Sequence, residues 1–296
     1  AVFGYLKVND TTGKGLLEAF LAHLDALSVD IQDCRGQAYD NGSNMKGHNS
    51  GVQARVLEMN EKALYIPCAA HSLNLALADG AKSSIPAISF FGTINRLYVL
   101  FSSSPARWNI LTDNVPITVK APSDTQWEAR IDSVKPLRYC IENIIDALHQ
   151  LEQYAIDKKD GSTASEASSL TENISSWPFI ISIVVWNDIL FQVNKTSKLL
   201  QSPSVTVDIL NSEITATLDF LQKYRETGFA SACTDGREIA EKLDVQLIFP
   251  ETRSRRRKEH FSYKAADDLG SQSAEERFKI EFFMKLVYQA MSSVDS

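Results

Sequence analysis

Cysteine is scarce here: Cys34, Cys68, Cys140 and Cys233 are the four in 296 residues. No two of them stand at C-x-x-C spacing, and a chain of this length can bury a core without covalent staples. A disulfide-framed secreted scaffold is therefore excluded, and reduced thiols of a cytosolic or nuclear protein are expected. A run of about 18 apolar residues is also missing, which argues against a membrane span. The opening AVFGYLKVND has no basic leader followed by an apolar block, so no secretory signal is read there. Positive charge is in deficit, with 30 Lys and Arg against 37 Asp and Glu and a net charge of −7. That excludes coating nucleic acid by bulk charge but leaves room for a local basic surface. Internal repeats are lacking too.

What remains is ordinary globular composition, 44% hydrophobic and 23% charged, enough for one large domain or two smaller ones. The chain opens within strand-like alternation, has no initiator methionine and closes soon after a strong helical pattern. Both ends read as cut, so the sequence is expected to be an internal fragment of a longer chain.

Residues 2–8 alternate like a short strand. Asp10-Thr11-Thr12-Gly13 supplies turn and N-cap chemistry, and Leu17, Phe20, Leu21 and Leu24 then predict an amphipathic helix over roughly 14–27. A short segment from Cys34 to Tyr39 ends at Asp40, and Asn41-Gly42-Ser43-Asn44 breaks it. Val52, Val56 and Met59 mark a second helix, Leu64 to Pro67 a short buried strand, and a helical pattern resumes from His71 through Leu73 and Leu77. Strand and helix in alternation imply a parallel sheet.

The pattern then changes. Val134, Leu137, Ile141, Ile144, Leu148 and Leu151 form one apolar stripe, and Ile181, Val184, Val185, Ile189 and Val193 a second. Ile209, Ile214, Leu218 and Leu221 form a third, and Phe278, Phe282 and Leu286 a fourth. Trp108, Trp177 and Trp186 are expected in this helical core. Stretches near 156–172 and 250–276 are polar and are expected to be loops. The fold class expected is α/β plus all-α, predominantly helical, divided into residues 1–85 and 86–296.

Three motifs carry chemistry. In R-G-Q-A-Y-D-N-G-S-N-M-K-G-H-N-S-G-V-Q-A-R, residues 35–55, a strand ends at an acid and a Gly/Asn/Ser loop exposes that acid beside a helix. Taken alone, Asp40 reads first as a cap for the helix that follows its turn, and only second as a metal ligand. L-Y-I-P-C-A-A-H-S-L-N-L-A-L-A-D follows at 64–79, and S-D-T-Q-W-E-A-R at 123–130. Together, in this order and with a helical second half, the three resemble the hAT superfamily of DNA transposases. Within it the resemblance is to transposase-derived proteins of the zinc-finger MYM-type one-like group.

The resemblance implies an incomplete RNase H-like domain interrupted by a large helical insertion domain. It makes Asp40 the second acid of an Asp-Asp-Glu triad, hence a metal ligand and catalytic residue in an intact relative. Such relatives hold two Mg²⁺ ions about 3.5–4 Å apart to cut or join DNA strands. It matches Cys68 and His71 to a Cys-x-x-His pair with a local structural role, since zinc would need four ligands. Trp127 becomes a residue that stacks on an extruded base, a contact worth about 1–3 kcal/mol, or else a core aromatic. Gln126 stands where the family usually has Arg. The first acid of the triad is expected upstream of Ala1. Its Glu is expected on a later helix, while Glu275, Glu276 and Glu281 read as solvated and Asp10 as part of a helix start.

With one acid of three, this chain is expected to bind no Mg²⁺ and to be no enzyme by itself. The run Arg253, Arg255, Arg256, Arg257 and Lys258, interrupted only by Ser254, is a candidate DNA-phosphate contact or nuclear import signal, set against a solvated loop. DNA is the partner expected, with a nuclear location by resemblance and self-association in the longer parent. A domesticated scaffold that binds DNA or protein in chromatin, without catalysis, is the alternative.

Overall fold

The computed structural model describes residues 5–39, 42–67, 80–122, 127–200, 206–251 and 272–294. It is predominantly helical and divides into two compact units, Ala1–Leu73 and Asn74–Ser296.

In the first unit, helix α1 (Gly13–Ala26) starts where the sequence supplies a cap: Thr12 Oγ1 accepts from Gly15 N at 3.2 Å. After a 3-10 turn at Ile31–Asp33 come strand β1 (Gly36–Tyr39), the single helical turn α2 (Ser43–Lys46), helix α3 (Val52–Met59) and strand β2 (Leu64–Pro67). The two strands are parallel, in register from Gly36↔Leu64 to Tyr39↔Pro67, as the alternation of strand and helix implied. Leu17, Val52, Val56 and Ala63 form the small core, with Leu16, Leu21, Ile31 and Tyr39 packed on it.

Two buried amides hold this unit together. Gln37 Nε2 donates to the carbonyls of Gln53 and Ala63 at 3.2 and 2.9 Å. Asn60 Nδ2 reaches the carbonyls of Ile31, Gln32 and Cys34, while Asn60 Oδ1 accepts from Lys62 N. Backbone groups in an irregular turn need such partners once they leave water.

Two expectations for this unit are corrected. Residues 5–8 form no strand; Tyr5 is fully exposed and nothing pairs with the segment among the described residues. Strand β2 exists but is not buried: Leu64 and Ile66 are each 65% exposed. They share one side of the strand; on the other, Tyr65 is half-buried and Pro67 is exposed.

The second unit contains helices α4 (Ile85–Ser102), α5 (Pro105–Asn114), α6 (Trp127–Asp157), α7 (Gly161–Ile174), α8 (Trp177–Leu200) and α9 (Val207–Lys242). It closes with α10 (Ala274–Phe278), a π turn (Lys279–Met284) and α11 (Lys285–Val294). Serines cap α4 and α5: Ser84 Oγ accepts from Ala87 N, Ser104 Oγ accepts from Arg107 N, and a proline follows each cap. Helix α8 is the axis, packed against α6 and α9. Its Trp186 is fully buried between Phe90 and Phe91, at ring distances of 6.3 and 4.8 Å. Trp177 is buried as expected, whereas Trp108 is only half-buried, edge-on to Tyr98.

The stretch near 156–172 is not a loop. Residues 161–174 are helix α7, capped by Asp160, which accepts from Thr163 N at 3.1 Å. Thr163, Ala167, Leu170 and Ile174 make a narrow buried stripe at helical spacing, hidden in the sequence by small polar residues between them. Two ion pairs fasten the helix: Arg96 to Glu166 at 2.8 Å and Arg107 to Asp160 at 3.1 Å. Of the stretch near 250–276, residues 252–271 lie outside the described residues, and Ser273 already caps α10.

Helices α4 and α8 are long and apolar enough to cross a membrane by length and composition, contrary to the reading that no such segment exists. For α8, burial of 67% of its most apolar window inside the bundle accounts for that composition.

Candidate functional site

In α/β folds functional groups gather at the carboxyl ends of parallel strands. Here those ends, Tyr39 and Pro67, are paired with each other, and their rings' neighbours are aligned too, Tyr39 lying 6.3 Å from Tyr65. Burial raises the Tyr39 hydroxyl above its ordinary pKa. Beside this edge the start of α1 meets the loop that follows β1. Asn44 Nδ2 donates to Thr11 O at 3.0 Å. A Cβ on Gly13 would lie 2.3 Å from Ser50 O, and one on Gly51 would lie 2.5 Å from Gly47 N. Close backbone packing therefore explains Gly13 and, in the loop, Gly47 and Gly51.

Asp10 belongs to the helix start. Its carboxylate accepts from Thr12 N at 2.9 Å and from Thr12 Oγ1 at 3.1 Å. The bond from the Thr12 backbone, then that from its hydroxyl, holds the Asp10 carboxyl below the ordinary range. No group of three or more His, Cys, Asp or Glu among the described residues is arranged to hold a metal.

A second polar centre lies inside the helical unit. Tyr224 on α9 donates its hydroxyl to Asp188 Oδ2 on α8 at 2.9 Å. Arg138 on α6 pairs with Asp235 on α9 at 3.5 Å, and its Nε is buried with no hydrogen-bond partner. Burial raises the Asp188 carboxyl above its usual pKa, against the Tyr224 bond and the Arg138 charge, which lower it. Burial also pushes the Tyr224 hydroxyl well up, with the Asp188 charge adding to it. Two residues beyond Arg138, helix α6 departs from helical torsions at Cys140, with φ −137° and ψ 29°. Pro136, inside the same helix, cannot donate to the preceding turn. No sequence motif announced this cluster, because its members come from three helices.

Residues 2–51 match the family described as DUF4371: ZMYM1/FAM200, RNase-like domain. That segment contains α1, β1 and the glycine loop. The human protein named 52 kDa repressor of the inhibitor of the protein kinase is 26% identical over 242 residues, covering 75% of this chain and 31% of that protein. Its mouse counterpart is 26% identical over 249 residues, with the same two coverages. The chain thus spans under a third of the length of these curated relatives. No solved structure gives a significant match.

The resemblance carried by the three sequence motifs directs attention to specific positions. Asp40 and Cys68 follow the paired strand ends in sequence; both, with His71, lie outside the described residues. Trp127 is the first residue of α6. Gln126 lies outside the described residues, as do Arg253, Arg255, Arg256, Arg257 and Lys258. Arg130, in the same quoted segment as Trp127, is a finding of the structure. It is buried, and its guanidinium carbon sits 4.9 Å from the centre of the Phe91 ring. Composition alone would place an arginine at the surface. Glu275, Glu276 and Glu281 are exposed as expected; His48, in the glycine loop, is exposed too.

Proposed function

We propose that this chain is the transposase-derived part of a larger nuclear protein. In this reading an RNase H-like portion, residues 1–85, is interrupted by a helical insertion domain, residues 86–296. It binds DNA and does not itself cut or join strands. The observation that carries the reading is the RNase-like match over residues 2–51. It ends in the loop after β1, the place where such a domain presents a metal-binding acid. Asp40 is the one triad acid this sequence offers there. Asp10, the other acid in the matched segment that attracts attention, is committed to Thr12. In an intact relative two Mg²⁺ ions would stabilise charge on the phosphodiester; one acid is too few to hold them. Cys68 and His71 are assigned a structural role beside the edge, and Trp127 base stacking.

DNA binding is assigned to the basic run Arg253–Lys258, which concentrates five positive charges on an acidic chain. Binding of a labelled duplex should weaken steeply with salt, and an Arg255/Arg256/Arg257→Ala variant should lose most of it. Salt-independent or absent binding would overturn the DNA assignment. Mg²⁺-dependent nicking that disappears in Asp40→Ala would overturn the non-catalytic one.

A second reading is a protein-binding scaffold, favoured by the relatives' names, which describe repressors. It predicts no salt-sensitive DNA binding in the same titration.

A further inference from the structure

The last helical stretch is broken by the π turn Lys279–Met284, which buries Phe282 and Phe283 and leaves Ile280 exposed. Such turns widen a helix locally and often accompany function. Beside this one lies an open cleft of about 410 Å³ lined by Arg225, Gln272, Glu276, Lys279, Ile280 and Met284. Its two cations come from different helices, Arg225 from α9 and Lys279 from the π turn. Among the described residues neither has a carboxylate oxygen within 4.0 Å.

The neighbouring acids do not neutralise them directly. Glu276 is held in a closed capping box: its Oε2 accepts from Ser273 N, and Ser273 Oγ accepts from Glu276 N, both at 3.1 Å. Glu275 stands one turn before Lys279 without pairing with it. Around Arg225, the positions three and four residues away are Leu221, Gln222, Gly228 and Phe229, none of them acidic. Lys279 Nζ rests 5.7 Å from the centre of the Phe229 ring, which orients the ammonium without neutralising it. Ile280 and Met284 add an apolar wall.

The cleft also has a place relative to the basic run. Phe249 packs on Phe278, the residue before Lys279, at 5.1 Å between rings. Arg253 follows Phe249 by four residues, at most about 14 Å of extended chain. Gln272, the first described residue after the run, lines the cleft.

We propose that Arg225 and Lys279 form a phosphate-binding cleft for the DNA backbone, with Ile280 and Met284 facing the sugar. This rests on the DNA-binding reading above and adds residues that no basic motif marks. The test is anisotropy of a labelled DNA duplex with the full chain across a salt series, comparing wild type with Arg225→Gln/Lys279→Gln. Affinity should fall about tenfold, and the log–log salt slope should become shallower by about 1.8, roughly 0.9 for each lost contact. A double variant with wild-type affinity and slope overturns the cleft while leaving the basic run's role standing. Wild-type protein without salt-sensitive binding overturns both. Circular dichroism checks the fold. If Lys279→Gln unfolds by disturbing Phe229, Arg225→Gln alone must shift the slope by about 0.9 and Lys279→Arg must keep binding.

Discussion

The Tyr224 hydroxyl donates to the half-buried Asp188 carboxylate at 2.9 Å and so joins helices α8 and α9. Removing the donor takes a hydrogen bond from a half-buried carboxylate. Tyr224→Phe is expected to destabilise the helical unit by about 1–3 kcal/mol, read as a lower urea midpoint with an unchanged m-value.

Asp188 itself has the opposite sense. Burial raises its folded-state pKa above the unfolded value. The stability this contributes is complete below the unfolded pKa and is lost as pH rises through the folded pKa. Asp188→Asn should therefore remove a decline in stability that begins as pH rises through the ordinary carboxylate range, and be at least as stable as wild type at pH 7. Thermal melts of both proteins across that range check it; a parallel pH dependence in the two would contradict the assignment.

Asp160 supplies the contrasting case. Its hydrogen bonds from Thr163, side chain and then backbone, together with Arg107, hold its pKa below the ordinary value. Stability from this cap is present above the unfolded pKa and is lost as pH falls through the folded one. Asp160→Ala should fray the first turn of α7, with faster amide exchange at Thr163 and Ala164 and a weaker acid dependence there.

Asn60 fastens the turn before β1 to the turn before β2 through three carbonyls and one N–H. Replacing it by alanine strands buried backbone groups at a site only 4% exposed. Asn60→Ala is expected to cost about 1–3 kcal/mol in the first unit, detectable by proteolysis of the 31–36 segment.

Trp186 is enclosed by Phe90 and Phe91 at the centre of the bundle. Trp186→Ala should cost about 3–5 kcal/mol through lost burial and an unfilled cavity, measured by chemical denaturation.

Much of the architecture was legible in the sequence where a single periodicity governs. The stripe from Val134 to Leu151 is α6, and that from Ile181 to Val193 is α8; each buries the face its spacing marked. Thr12 capped α1 as its chemistry suggested. Helix α7 was hidden because its core face uses Thr163 and Ala167, residues too small or polar to signal burial. Strand β2 was legible as a strand but not as an exposed one, since exposure depends on what covers its second face.

The sequence by itself determined the predominantly helical class, the alternation of strand and helix in the first unit, the resemblance to transposases and the polar glycine loop after β1. Local chemistry decides these: capping oxygens, helical and strand periods, and short motifs contiguous in the chain. Only the tertiary structure decided that Arg138, Asp188, Tyr224 and Asp235 meet, that Arg130 lies buried on Phe91, and that Arg225 and Lys279 share a cleft. Each of these unites residues from separate helices, and the distance between side chains on packed helices is set by crossing geometry rather than by spacing along the chain.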